Sequence, residues 1–173
     1  MTHQLGIIKD RINNELKRAR IAGVGAKRSQ IDVRDEIIDL TSTLKKIYIE
    51  KALDLQLNIE PETFLAVDRQ DFLELIGNLL DNAFKWAKHN IHVRVQTTGN
   101  FQLTLEDDGL GCKPAELQLI TQRGKKLDEN KTGHGLGLSI AQDIVAQYNG
   151  EIQFSKSLLG GLLVEITFPL DYK

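Results

Sequence analysis

Apolar residues recur at helical and strand periods along most of the chain, and the switches between the two periods mark its elements. Leu5, Ile8, Ile12, Leu16 and Ala19 return at three- and four-residue spacing among Lys, Arg, Glu and Asn, predicting a helix over residues 1–22. Its stripe is narrow, like a bundle or coiled-coil seam, and Gly23-Val24-Gly25 ends it. Residues 23–30 read as a linker. A second helical pattern runs from Val33 to about Ala52 through Ile37, Ile38, Leu40, Leu44 and Ile47. Leu53 to Ile59 alternates, as a half-buried strand does, and Thr63 to Val67 beyond the Pro61-Glu62 turn is its expected partner. A long helix follows from Asp68 to about His89.

Ile91 to Gln96 and Phe101 to Glu106 alternate again, joined by the hairpin signal Thr98-Gly99-Asn100. From Cys112 to Thr132 the pattern loosens, with at most a short helix near Ala115 to Thr121. Leu136 to Tyr148 is helical and stops at Asn149-Gly150. Glu151 to Ser155 and Leu162 to Phe168 close the chain as strands around Gly160-Gly161. Interspersed helices and hairpin-like strands predict an α+β fold, a two-layer α/β sandwich with helices on one face of a mixed sheet. The expected division is a helical stub with its linker over 1–25 and one compact domain over 30–173.

Composition narrows the function classes. With 22 basic and 24 acidic residues among 173, the net charge of −2 gives no overall attraction to nucleic acid, so no nucleic-acid partner is expected. The single cysteine, Cys112, excludes an internal disulfide and a multi-thiolate metal site. No apolar run reaches the roughly 20 residues of a membrane helix, although a larger parent protein can carry such helices elsewhere.

Chemistry concentrates where the glycines do, nine of the fourteen lying between Gly109 and Gly161. Asp107-Asp108-Gly109-Leu110-Gly111 follows a strand, and Gly133-His134-Gly135-Leu136-Gly137 precedes a helix. Either can be ordinary turn material. Glycines opening a helix also let backbone N–H groups converge on a phosphate, aided by the helix dipole. A carboxylate at a strand end, here Asp107, can accept from the exocyclic amino group of adenine, whereas guanine presents an acceptor there; the alternative is a solvated turn aspartate. On the long helix Asp71, Glu74, Asn78, Asn82 and Lys85 share a stripe about 80° wide at 100° per residue. A polar stripe can be a solvent face, yet two asparagines one turn apart are poor helix formers. Their amide oxygens suit Mg²⁺, Lys85 a phosphate, and Trp86 a base or the core.

In this order the pieces resemble the ATP-binding catalytic domain of two-component sensor histidine kinases, within the gyrase, Hsp90, histidine kinase and MutL superfamily. Asn78-Leu-Leu-Asp-Asn82-Ala83 resembles its N box, Asp107-x-Gly109-x-Gly111 its G1 box and Gly133-x-Gly135-x-Gly137-Leu138 its G2 box, with Gly160-Gly161 at the last glycine motif. The resemblance covers about residues 30–170 and implies a Bergerat-type fold. It places ATP against Asn78, Asn82, Lys85, Trp86, Asp107, Gly109, Gly111, Cys112, Gly133, His134, Gly135, Leu136, Gly137 and Leu138. It gives Mg²⁺ to Asn78 and Asn82, and makes about 112–132 a mobile lid. Lys126 and Lys131 stand where lid arginines are found, and Thr121 where the family has a phenylalanine.

The same resemblance implies a protein-histidine kinase activity with ATP and Mg²⁺ as cofactors. Superfamily members that hydrolyse ATP carry glutamate at the position of Asn78, and asparagine cannot act as a base, which favours phosphoryl transfer. His3, His89, His92 and His134 lack the context of a phosphoacceptor, so no catalytic acceptor is expected within the chain. Implied partners are the dimerisation and phosphoacceptor domain of a homodimeric parent kinase and a response regulator. The implied location is the cytoplasmic side of the bacterial inner membrane. A serine kinase of the anti-sigma-factor type and a non-catalytic ATP-binding module are the alternatives.

Overall fold

A computed structural model describes residues 29–112 and 136–170. Its elements are β1 (Ser29–Asp32), α1 (Val33–Ile47), a 3-10 turn (Ile49–Lys51), β2 (Asp54–Ile59), β3 (Phe64–Val67), α2 (Arg69–Trp86), β4 (Asn90–Thr98), β5 (Asn100–Asp107), α3 (Leu136–Gln147), β6 (Glu151–Lys156) and β7 (Leu162–Phe168). Five strands form one mixed sheet in the order β2-β4-β5-β7-β6, with only β2 and β4 parallel. Ile91, Val93 and Val95 of β4, Phe101, Leu103 and Leu105 of β5, and Val164, Ile166 and Phe168 of β7 are buried together with the apolar stripes of the helices. The intervening residues, among them Arg94, Thr104 and Glu165, leave the opposite sheet face polar. This is the expected two-layer α/β sandwich.

Two expectations from the alternation pattern need correction. Phe64–Val67 does not pair with the Leu53–Ile59 strand; it pairs antiparallel with Ser29–Asp32 in a separate two-stranded sheet. The strand β1 therefore takes Ser29 and Gln30 out of the expected linker. Alternation specifies which side of a strand is buried and is silent about its neighbour. The helical pattern from Val33 breaks after Ile47 into the 3-10 turn, and Ala52 adopts φ +48° before β2 begins. The expected stub over 1–25 and the short helix near Ala115 to Thr121 lie outside the described residues.

Local chemistry sets the helix limits. The Asp32 carboxylate accepts from the N–H groups of Arg34 and Asp35, and that of Asp68 from Gln70 and Asp71, so each caps the orphan donors of a helix start. Asn149 in the left-handed region (φ +55°) ends α3, and Gly150 N–H returns to the Val145 carbonyl at 2.9 Å. At the hairpin, Gly99 supplies the φ of +79° that joins β4 to β5.

Candidate functional site

The end of β5 carries two adjacent carboxylates with different surroundings. Asp107 is only 4% exposed, which excludes the solvated-turn reading. Its Oδ1 accepts from Gly109 N–H at 2.8 Å and Leu162 N–H at 3.4 Å. Burial pushes its pKa upward; the two N–H donors and Lys51 act against that push, and Asp108 adds to it. Two glycines make room for this carboxylate. A Cβ on Gly161 would overlap Asp107 Oδ1, and one on Gly109 would lie 2.8 Å from the same atom and 2.5 Å from the Trp86 carbonyl oxygen. Gly111, at φ +65°, lies against the Gly161 carbonyl. Gly109 and Gly161 therefore enclose one buried aspartate, with Gly111 packed behind Gly161.

Asp108 faces the other way and acts as a clamp. It accepts from Lys88 N–H at 2.8 Å, His89 N–H at 3.0 Å and Asn90 Nδ2 at 2.9 Å. Burial works to raise its pKa, but donation from His89, Asn90 and Lys88 outweighs that and holds it well below the usual carboxylate range. The clamp ties the strand end to the connection between α2 and β4. The sequence singled out Asp107 of the pair, but the clamping role of Asp108 was not visible in it.

The polar stripe of α2 divides along its length. Asp71 is bound to α3: Tyr148 donates its hydroxyl to Oδ2 at 2.6 Å and Gln147 its amide at 3.1 Å. Asn78 is half-buried, and its Nδ2 donates to the Glu74 carbonyl at 2.8 Å, tying the amide nitrogen to its own helix. The oxygen faces the start of α3, where a Cβ on Gly137 would meet it at 3.3 Å. Asn82 is half-buried one turn on, and Lys85 is exposed with Nζ 5.2 Å from the Trp86 ring centre. Leu138 is buried in the core, Leu136 opens α3, and Cys112 packs half-buried against the core edge. Lys126, Lys131, Gly133, His134 and Gly135, with the expected lid beyond Cys112, lie outside the described residues.

Three supporting residues went unrecognised in the sequence. Lys51 Nζ donates to the Phe84 and Lys85 carbonyls, each at 2.8 Å, and so caps the C-terminus of α2 beside Asp107. Glu106 and Ser157 bond to each other at 2.7 Å under the Gly160-Gly161 turn. Each partner pair is more than 30 residues apart, beyond any local pattern. As a metal site, the donor set is lean: among the described residues no three His, Cys, Asp or Glu side chains form a cluster that could hold an ion. An amide oxygen on a polar helix stripe suits an ion whose other ligands are waters and phosphate oxygens.

Residues 67–172, more than half of the chain, match the family described as histidine kinase-, DNA gyrase B-, and HSP90-like ATPase. The chain belongs to this family. Among curated proteins it is 39% identical over 172 residues to the sensor protein kinase CarS of Pseudomonas aeruginosa, covering 99% of this chain and 38% of CarS. It is 34% identical over 170 residues to the sensor protein PhoQ of Escherichia coli K12, covering 97% and 35% of the two chains. The chain thus spans little more than a third of these relatives. Among solved structures, the mycobacterial sensor histidine kinase MprB superposes with a TM-score of 0.71 at 21% identity, covering 82% of this chain and 97% of that one. Full-length ShkA in complex with AMPPNP gives 0.73 at 18% identity over 91% of this chain and 35% of that one. These likenesses bear on the fold. This is a histidine-kinase-type ATPase domain of the kind carried by PhoQ- and CarS-like sensor kinases.

Proposed function

We propose that this domain binds Mg²⁺–ATP and presents its γ-phosphate to a histidine on the dimerisation domain of a sensor kinase, for relay to a response regulator. The observation that carries the reading is Asp107, a buried carboxylate at a strand end whose pKa is raised and whose hydrogen bonds among the described residues fall on Oδ1. A buried charge needs donors. The exocyclic amino group of adenine supplies one to Oδ2, and a charge-assisted bond of this kind contributes about 1.5–3 kcal/mol.

The remaining roles follow the length of α2. From Trp86, beside the Asp107 turn, back to Asn78 is about 12 Å by helical rise, a span that a nucleoside triphosphate bridges. Trp86 would flank the base and Lys85 the phosphates. Gly109, Gly111 and Cys112 would line the base end, and Gly133, His134, Gly135, Leu136, Gly137 and Leu138 the phosphate end, where the N-terminus of α3 favours anions. Asn78 and Asn82 would hold the Mg²⁺ that accompanies the nucleotide and neutralises its phosphate charge. Lys126 and Lys131 would reach the phosphates from the lid. An amide at position 78 cannot take a proton from water, which supports transfer over hydrolysis. Phosphoryl transfer asks mainly for positioning and charge neutralisation, which these residues can supply. The parent would be a homodimer in the bacterial inner membrane with this domain on the cytoplasmic side.

The test is a radiolabelled-ATP assay coupled to calorimetry. The chain should bind Mg²⁺–ADP, acquire no acid-labile phosphate alone, and label a phosphoacceptor domain of its parent kinase added in trans. Absence of nucleotide binding at millimolar concentration would overturn the reading; steady phosphate release without an acceptor would point to a hydrolase instead.

A further inference from the structure

We infer that Ser157 and Glu106 are positioning residues for the Asp107 carboxylate and set how strongly adenine is preferred over other bases. The inference rests on the nucleotide reading above and deepens it. Glu106 and Asp107 are successive residues of β5, so their side chains leave opposite faces of the sheet. Both grip the same turn, residues 157–161 between β6 and β7.

On the polar face, the Ser157 hydroxyl, 3% exposed, donates to Glu106 Oε2 at 2.7 Å and accepts from Leu159 N–H at 2.9 Å. In the plane of the sheet, Gly161 N–H donates to the Asp107 carbonyl at 3.1 Å, and on the helix-covered side Leu162 N–H donates to Oδ1 at 3.4 Å. The turn is closed by Ser157 N–H to the Gly161 carbonyl at 2.9 Å and Gly160 N–H to the Ser157 carbonyl at 3.0 Å. Since Gly161 has no side chain, its backbone lies directly on the carboxylate, and a shift of the turn reaches Oδ1 undamped. His92, the register partner of Glu106 on β4, lies beside it with Nδ1 3.8 Å from Oε1.

Loss of the Ser157–Glu106 bond leaves the turn its backbone bonds and removes its anchor on the polar face. The effect falls on the orientation of the Asp107 oxygens, and thus on the bond to the base. The phosphate contacts proposed for the start of α3 involve neither residue and would be left in place. Base selectivity and phosphate affinity should therefore separate.

The experiment titrates Mg²⁺–ADP and Mg²⁺–IDP, whose base carries a carbonyl where adenine has its amino group, into the full chain. The variants are Ser157→Ala, Ser157→Thr, Glu106→Ala and Asp107→Asn. Removing a buried hydrogen bond should cost Ser157→Ala and Glu106→Ala roughly fivefold to tenfold in ADP affinity with IDP affinity unchanged. Ser157→Thr, which keeps the hydroxyl, should retain the wild-type ratio. If Asp107→Asn collapses the ratio while Ser157→Ala and Glu106→Ala leave it unchanged, the positioning role is wrong and the reading of Asp107 stands. If Asp107→Asn also leaves the ratio unchanged, the reading of Asp107 fails and this inference with it. A Ser157→Ala chain that melts earlier at an unchanged ratio would make the bond a structural anchor only and overturn the inference.

Discussion

Asp107 and Asp108 are neighbours in sequence and opposites in electrostatics. The raised pKa of Asp107 means that burial in the folded state makes its carboxyl harder to ionise than it is in the unfolded chain. Its contribution to stability is present below the ordinary value of 3.8 and is lost as pH rises through the raised folded value. The depressed pKa of Asp108 works the other way: its stabilisation is complete above 3.8 and disappears as pH falls through the folded value. Asp107→Asn should accordingly keep or raise the melting temperature at pH 7 while lowering ADP affinity at least tenfold, the amide having exchanged a charged acceptor for a neutral one. Asp108→Ala should cost about 0.5–1.5 kcal/mol at pH 7, the net worth of hydrogen bonds that water can replace at the exposed Lys88 and His89, and it should flatten the acid side of a stability–pH profile measured by urea unfolding.

At the scale of elements, α2 is the member on which the site is strung, and its two ends are fixed by different means. At the start, Asp68 caps it and Asp71 receives the Tyr148 hydroxyl, which itself accepts from Asp68 N–H at 3.1 Å. At the finish, Lys51 holds its last carbonyls. Tyr148→Phe should destabilise the domain by about 1–3 kcal/mol in denaturant titration, since Asp71 and the Asp68 N–H both lose a partner. Gly77 sits inside the same helix with nothing within 4 Å of a built Cβ. Gly77→Ala should therefore raise stability by roughly 0.5–1 kcal/mol through helix propensity alone. The same substitution at Gly161 must displace Asp107 and should abolish ADP binding in a calorimetric titration.

At the scale of the molecule, the sandwich brings the end of β5, the β6–β7 turn, the outer face of α2 and the start of α3 to one edge. Ligand bound only by the folded state should stabilise it by mass action. A scan with Mg²⁺–ADP at a hundredfold excess over its dissociation constant should show about 2.7 kcal/mol of added stability, and none without the nucleotide. No described helix is long and apolar enough to cross a membrane. The helices, the five strands of the main sheet and the hairpin at Gly99 were legible along the chain, whereas β1, half of it inside the expected linker, was not. The mixed sheet and its helix-covered face follow from them.

What the sequence determined by itself was local: the periods of 3.6 and 2, the capping aspartates, the glycine stops, and the asparagines that sit uneasily in a helix. These features depend on residues within a turn or a pleat of each other. The tertiary structure decided the rest. It paired Phe64–Val67 with Ser29–Asp32, assigned Asp71 to Tyr148, and chose Asp107 over Asp108 for burial. Strand partnership, desolvation and hydrogen bonding between distant side chains arise only when segments far apart in the chain are packed together, and no spacing along a sequence encodes them directly.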